Sequence, residues 1–153
     1  MNTDEQWMQI AIQEAMVAEN EGEVPVGAVL VQDGKMIAKA HNQPILKSDP
    51  TAHAEIQVLR ISSEIINNYR LLDSCLYVTL EPCIMCFGAM VHARIDRVVF
   101  GAFDPKSGAC GSCINLNSKK AFNHEIIILG GILESECRKI LHSFFQNRRR
   151  QKK

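Results

Sequence analysis

Two cysteines three apart in "EPCIMC" (81–86), a His-x-Glu pair in "TAHAEI" (51–56) and a second cysteine pair in "ACGSC" (109–113) have types and spacing that favour metal chemistry. Cys83 and Cys86, at i and i+3 in the first turn of a helix, share one face, and a helix N-terminus favours the thiolate form that binds zinc. Two thiolates alone do not complete a zinc site. Two completions compete. His53 gives a one-histidine, two-cysteine set with an open fourth position; Cys110 and Cys113 give four sulfurs and a closed structural site. The 23 residues between the pairs (87–109) slightly exceed the roughly 15 to 20 of common zinc ribbons and do not exclude the second.

Glu55 tips the balance toward the open site. A catalytic zinc needs a proton carrier that is not itself a ligand, and a carboxylate beside the activated water fits that task. Residues two apart on a helix point about 200° apart. His53 and Glu55 therefore serve one site only if it lies off the helix end, with His53 binding the metal and Glu55 reaching in from the other side.

The elements that must position these residues follow from the pattern. Thr3 or Asp4 caps a helix carrying Trp7, Met8, Ile10, Ala11, Ala15 and Met16 at helical spacing to about 20–22. "VGAVLV" (26–31) and "MIAKA" (36–40) flank an Asp-Gly turn and form an antiparallel hairpin. In "SDPTAHAEIQVLR", Ser48 or Asp49 is the expected N-cap, Pro50 sits near the first helical position, and the helix starts just before His53. Strands are expected at 75–80, 97–102 and 125–129, a helix beginning at Pro82, and a closing amphipathic helix in "ESECRKILHSFFQNRRR". The helix after Pro82 is apolar nearly all round, so it must be covered on several sides, a second subunit being one candidate. The stretch 103–124 is long for a connection and is read as functional or partly helical. One α/β domain over residues 1–153 is expected.

At 153 residues, the chain has the length of one ordinary domain. Six cysteines without a signal-peptide pattern point to a reducing, cytoplasmic setting, and no apolar stretch approaches the roughly 18 to 20 residues a membrane span needs. Seventeen basic residues balance seventeen acidic ones, yet the last eight, "QNRRRQKK", carry five positive charges and no negative one. Such a tail is either a solvated end or a phosphate contact. Cys75 and Cys137 are read as core residues, Cys110 and Cys113 as loop thiols if the open site holds, and His92, His124 and His142 as packing or surface groups.

His53-Ala54-Glu55 with Pro82-Cys83-Ile84-Met85-Cys86 resembles the H-x-E and P-C-x-x-C pattern of zinc nucleobase deaminases. "EVPVGAVLV", "DPTAHAEI", "LYVTLEPCIMC", "RVVFGAFDPKSG" and the Phe-Phe plus basic ending resemble, in order, the bacterial tRNA adenosine deaminase family. The resemblance implies a three-layer α/β/α cytidine-deaminase-like fold around a central mixed five-stranded sheet, and a homodimer with active sites near the subunit interface. It implies one Zn2+ per subunit on His53, Cys83 and Cys86, with Glu55 as the catalytic proton carrier. The implied reaction is hydrolytic deamination of the wobble adenosine of a tRNA anticodon stem-loop to inosine, in a base turned out of its stack. Asn42 matches a substrate-binding asparagine, Asp104 a position near the substrate strand, and the basic last helix the part that approaches the anticodon. The metal motif does not by itself choose the ring, so a free-base or nucleoside deaminase is the same-class alternative. A noncatalytic nucleic-acid-binding module around Cys83, Cys86, Cys110 and Cys113 is the alternative from another class. Two departures stand out: the "ACGSC" cysteines, and Phe87, which is expected to narrow the pocket beside the metal.

Overall fold

A computed structural model describes residues 2–118 and 122–151. Its strands are β1 (Gly27–Gln32), β2 (Lys35–His41), β3 (Ser74–Leu80), β4 (Arg97–Ala102) and β5 (Ile127–Gly130), and its helices α1 (Thr3–Asn20), α2 (Pro44–Lys47), α3 (Ala54–Ile66), α4 (Ile84–His92) and α5 (Glu134–Gln151). The sheet order is β2-β1-β3-β4-β5. β1 pairs antiparallel with β2 and β3, while β3, β4 and β5 run parallel, so the sheet is mixed.

Local chemistry accounts for most boundaries. Asp33 and Gly34 both take positive φ (52° and 73°), the primed turn that an Asp-Gly pair favours and that matches strand twist. Asn67, at φ 60°, ends α3 in the left-handed conformation that asparagine tolerates. Three expected starts are displaced. Asn2, not Thr3 or Asp4, caps α1, because its extended backbone lets Oδ1 accept the Glu5 N–H at 2.9 Å. Asp49 does not cap a helix: Oδ1 accepts the Thr51 N–H and hydroxyl at 2.8 and 2.7 Å, closing a turn around Pro50. α3 accordingly begins after His53, which occupies its N-cap position. Likewise α4 begins two residues after Pro82, with Cys83 as its N-cap. The sequence reading missed the short α2, and β5 starts two residues later than expected. Among the described residues of 103–124, which leave out 119–121, Leu116–Ser118 form a 3₁₀ turn.

Register assigns the faces. Val29 pairs with Tyr77 and Tyr77 with Val99, so these residues and Gly101, two beyond Val99, point to one side. There the Tyr77 hydroxyl donates to Asp4 of α1 at 2.7 Å, and Gly101 meets Cys137 of α5. α1 and α5 therefore cover one face and touch each other; α3 packs on β1 and β2 and contacts α4. The inner strands read as buried apolar runs, Ala28 to Leu30, Leu76 to Val78 and Val98 to Phe100, as expected of a sheet covered on both faces. No helix among the described residues is long and apolar enough to cross a membrane.

Candidate active site

The ends of β2, β3 and β4 and the approach to β1 lie at one end of the sheet, where the N-termini of α3 and α4 also converge. His53 sits at the α3 N-cap with extended backbone (φ −68°, ψ 154°), and its ring makes no cap hydrogen bond, so it projects beyond the helix. Cys83 holds the same position on α4 (φ −80°, ψ 177°), and Cys86 follows in the first turn, fully buried. Two helix N-termini thus present their positive ends to a pair of sulfurs.

His53 Nδ1 lies 3.6 Å from Cys83 Sγ and 3.5 Å from Cys86 Sγ, and the ligand atoms of all three residues fall within 4.8 Å of one another. Tetrahedral zinc, with bonds of about 2.0–2.1 Å to nitrogen and about 2.3 Å to sulfur, holds such atoms about 3.6 Å apart. The donor set fits zinc in both chemistry and spacing. Neither Cys110 nor Cys113 belongs to this cluster, so the four-sulfur alternative is overturned. Cys113 is exposed, and burial pushes the Cys110 thiol up to about 12.

Electrostatics sorts the remaining groups. A hydrogen bond from the Cys86 thiol, with a further one from His53, brings Cys83 down to about 4, while the same partnership and burial push Cys86 up. His53 is raised, chiefly by its hydrogen bond to Cys83. Glu55 is 4% exposed, and loss of water around its carboxyl group raises it to about 7, near the range in which a proton carrier works best. Glu55 reaches the cluster from the first turn of α3, beside Cys86, as a site off the helix end requires.

A cleft of about 270 Å³ opens over this cluster, and Asn42, His53, Glu55, Cys83 and Asp104 all line it. Five of the six residues singled out from sequence therefore share one cavity, with the sixth, Cys86, beneath it. A larger groove of about 720 Å³ adjoins the cleft, sharing Val24, Leu80, Asp104 and Ser107, and is flanked by Phe103, Lys106, His142, Phe145 and Arg149. His142, read from sequence as packing or surface, lines this groove. Arg148 is already engaged: it donates to the Gly22 carbonyl at 2.8 Å and lies over the Phe144 ring. The last two lysines of the basic tail lie outside the described residues. Phe87 does not narrow the cleft; it is buried in the core, against Phe122.

Sequence reasoning missed two buried carboxylates next to the cleft. Glu23 accepts the N–H groups of Ile45 and Leu46 at 3.1 and 2.8 Å, fixing α2 behind Asn42. Glu81, at the end of β3, lines the cleft itself. The only signal for Glu81 was an acid directly after an apolar strand and before Pro82.

A family model for the cytidine and deoxycytidylate deaminase zinc-binding region matches residues 1–102. The tRNA-specific adenosine deaminase of Haemophilus influenzae is 52% identical over 151 residues, covering 98% of this chain and 87% of that protein. The tRNA-specific adenosine deaminase of Bacillus subtilis is 48% identical over 153 residues, covering 100% and 95%. A solved structure from a study of A-to-I editing by tRNA:A34 deaminases at the wobble position superposes with a TM-score of 0.87 at 45% identity, covering 89% of this chain and 99% of that one.

Proposed function

This chain belongs to the cytidine and deoxycytidylate deaminase family of zinc-binding proteins, and from that premise we propose that it hydrolyses the wobble adenosine of a tRNA anticodon to inosine. His53, Cys83 and Cys86 hold the metal, and two thiolates offset its charge. Zinc in such a donor set supplies the Lewis acidity that makes water a nucleophile near neutral pH.

The chain's own residues do the rest. Glu55 takes a proton from the attacking water and delivers it to ring N1, which makes C6 more electrophilic. The water oxygen bonds to C6. Glu55 then carries the second water proton to the exocyclic amine, the C6–N6 bond breaks, and ammonia leaves a C6 carbonyl with a protonated N1. Support for this role comes from its burial and from a carboxyl raised to about 7, which can both accept and release a proton at working pH. Asn42, 9% exposed in the cleft wall, offers an amide that both donates and accepts to the turned-out nucleotide. Asp104 faces both the cleft and the groove, where the neighbouring nucleotides would run.

The observation that carries RNA over a free base is the shared wall between cleft and groove. A free base needs only the cleft. The groove adds three cations, Lys106, Arg148 and Arg149, and two aromatic rings, Phe103 and Phe145, the combination that holds single-stranded backbone and stacked bases. Incubation with an anticodon stem-loop carrying a wobble adenosine should yield inosine in the RNA, while free adenine, guanine and cytosine release no ammonia. Ammonia from a free base with unreacted RNA would overturn the reading.

The working form is a homodimer. Its support is a mainly apolar shelf between α3 and α4, where Ile56, Leu59, Tyr69, Ala89 and Ala93 stand beside the polar Arg60, Ser63, Glu64 and His92, next to Ile84 of α4, which is 63% exposed. A helix apolar on nearly every side has only its inner face covered within one chain.

A further inference from the structure

We propose that Glu81 is a positioning residue for the substrate strand: its buried carboxylate fixes the loop that carries Asp104, and through it the mouth of the cleft. The inference rests on the deaminase reading above. Glu81 is 2% exposed, and its partners are donors from the 104–112 segment. Oε1 accepts the Asp104 N–H at 3.1 Å and the Ser112 hydroxyl; Oε2 accepts the N–H groups of Cys110 and Ser112 at 3.0 and 3.1 Å. One side chain at the end of β3 thus gathers both ends of that segment.

Neighbouring contacts lock the same geometry. Gly108 donates its N–H to the Asp104 carbonyl at 2.8 Å, and Ala109 donates to the Pro82 carbonyl at 2.8 Å. A Cβ at position 108 would press into the Glu81 carboxyl group and lie 2.6 Å from the Asp104 oxygen, so only glycine fits. Asp104 Oδ1 then accepts the N–H groups of Lys106 and Ser107 at 3.1 and 3.2 Å. The loop so held places Asp104 and Ser107 on the wall common to cleft and groove.

A carboxylate is required because every partner donates. In Glu81→Gln the amide nitrogen must replace one oxygen. At Oε2 it would oppose two backbone N–H groups. At Oε1 it can donate to the Ser112 hydroxyl, which rotates to accept, and opposes only the Asp104 N–H. The substitution therefore releases the Asp104 end of the loop selectively and leaves the metal ligands in place.

The test uses zinc-loaded full-length protein and the anticodon stem-loop. Glu81→Gln should raise KM about tenfold, the loss of one charge-assisted hydrogen bond, while kcat stays within about threefold, since the lost contact lies away from the reacting atoms. Zinc should stay at one per chain, and amide hydrogen exchange at Asp104 should accelerate. In an Asp104→Ala background, which keeps the backbone N–H but lacks the side chain that Glu81 positions, the same substitution should change KM by less than about twofold. An unchanged KM, additive effects, unchanged exchange at Asp104 or loss of zinc overturns the proposal. If wild-type protein leaves the stem-loop unreacted, the deaminase reading fails, and the exchange measurement alone decides whether Glu81 holds the loop. If Glu81→Gln does not fold, the exposed Ser112→Ala removes one donor, with an expected KM rise of about two- to fourfold and faster exchange at Asp104; no change in either overturns the proposal.

Discussion

Glu55 and the two ligand cysteines differ in what their loss should remove. Glu55→Gln keeps the shape of a side chain that is almost wholly buried, yet the amide cannot shuttle a proton. The variant should retain one zinc per chain, read by elemental analysis, while inosine formation falls by about 10²- to 10⁴-fold. Cys86→Ser should lose the metal, whereas Cys110→Ser should keep it; zinc lost on the Cys110 change would revive the four-sulfur site. His53, Cys83, Cys86 and Glu55 were legible in the sequence because each half of the site, His-x-Glu and Cys-x-x-Cys, is a local motif, whereas their meeting across thirty residues rested on the need for a proton carrier and on the family resemblance. Glu81 was not. Its partners come from residues 104 to 112, more than twenty positions away, and no local pattern announces a carboxylate that will be ringed by donors. Phe87 misled for a related reason, since adjacency to Cys86 in the chain does not say which side of α4 it occupies.

At the level of elements, a polar cluster around Asp4 ties the start of α1 to the inner strands. Arg97 of β4 donates to Asp4 through Nη1 at 2.9 Å and Nη2 at 2.7 Å, and the Tyr77 hydroxyl of β3 adds a third bond at 2.7 Å. The hydrogen-bonded Arg97 guanidinium holds the Asp4 carboxyl below the usual carboxylate range. A lowered native value means that the ion pair stabilises the fold fully above the unfolded value of about 4, and that this stabilisation fades as pH falls through the native one. Asp4→Asn should therefore cost about 1–3 kcal/mol at pH 7 by urea denaturation. The difference between wild type and variant should be flat from about pH 5 to 8 and shrink below about pH 4. A difference that persists undiminished at the lowest pH would assign the effect to packing. The strands and every helix but the four-residue α2 were readable from periodicity, and the Asp-Gly hairpin from its turn residues. Their starts were less so, because Asn2 and Asp49 take backbone donors in ways that candidate caps alone do not rank, while His53 and Cys83 stand at N-cap positions without a capping side-chain bond. The displacement matters, since moving the start of α3 past His53 is what frees its ring for the metal.

For the whole molecule, zero net charge hides an uneven surface: cations gather on α5 beside the groove, and apolar groups gather on the far side of α4. The sequence hinted at the second feature through the all-round apolar character of 84–91, but only the fold shows which face stays uncovered. Ile84, Gly88 and His92 follow one another at four-residue spacing along it, and Tyr69, 68% exposed, stands nearby at the edge of the shelf. The same helix begins at Cys83 and carries Cys86, so whatever covers its outer face also steadies the metal ligands. A second copy of this chain is the occupant that the homodimer reading requires, and a C2 contact would place α4 of one subunit against the matching shelf of the other. Ile84 is the place to test it. Because its side chain is largely exposed, Ile84→Glu costs the isolated chain little, and any change in mass reports the partner rather than a folding defect. Light scattering should give wild-type protein twice the 17.1 kDa chain mass, and the variant the single chain mass at the same loading. Inosine formation should fall in step with dimer loss as the variant is diluted. A wild-type chain that runs as a monomer, or a variant that stays dimeric, would place the contact elsewhere or remove it.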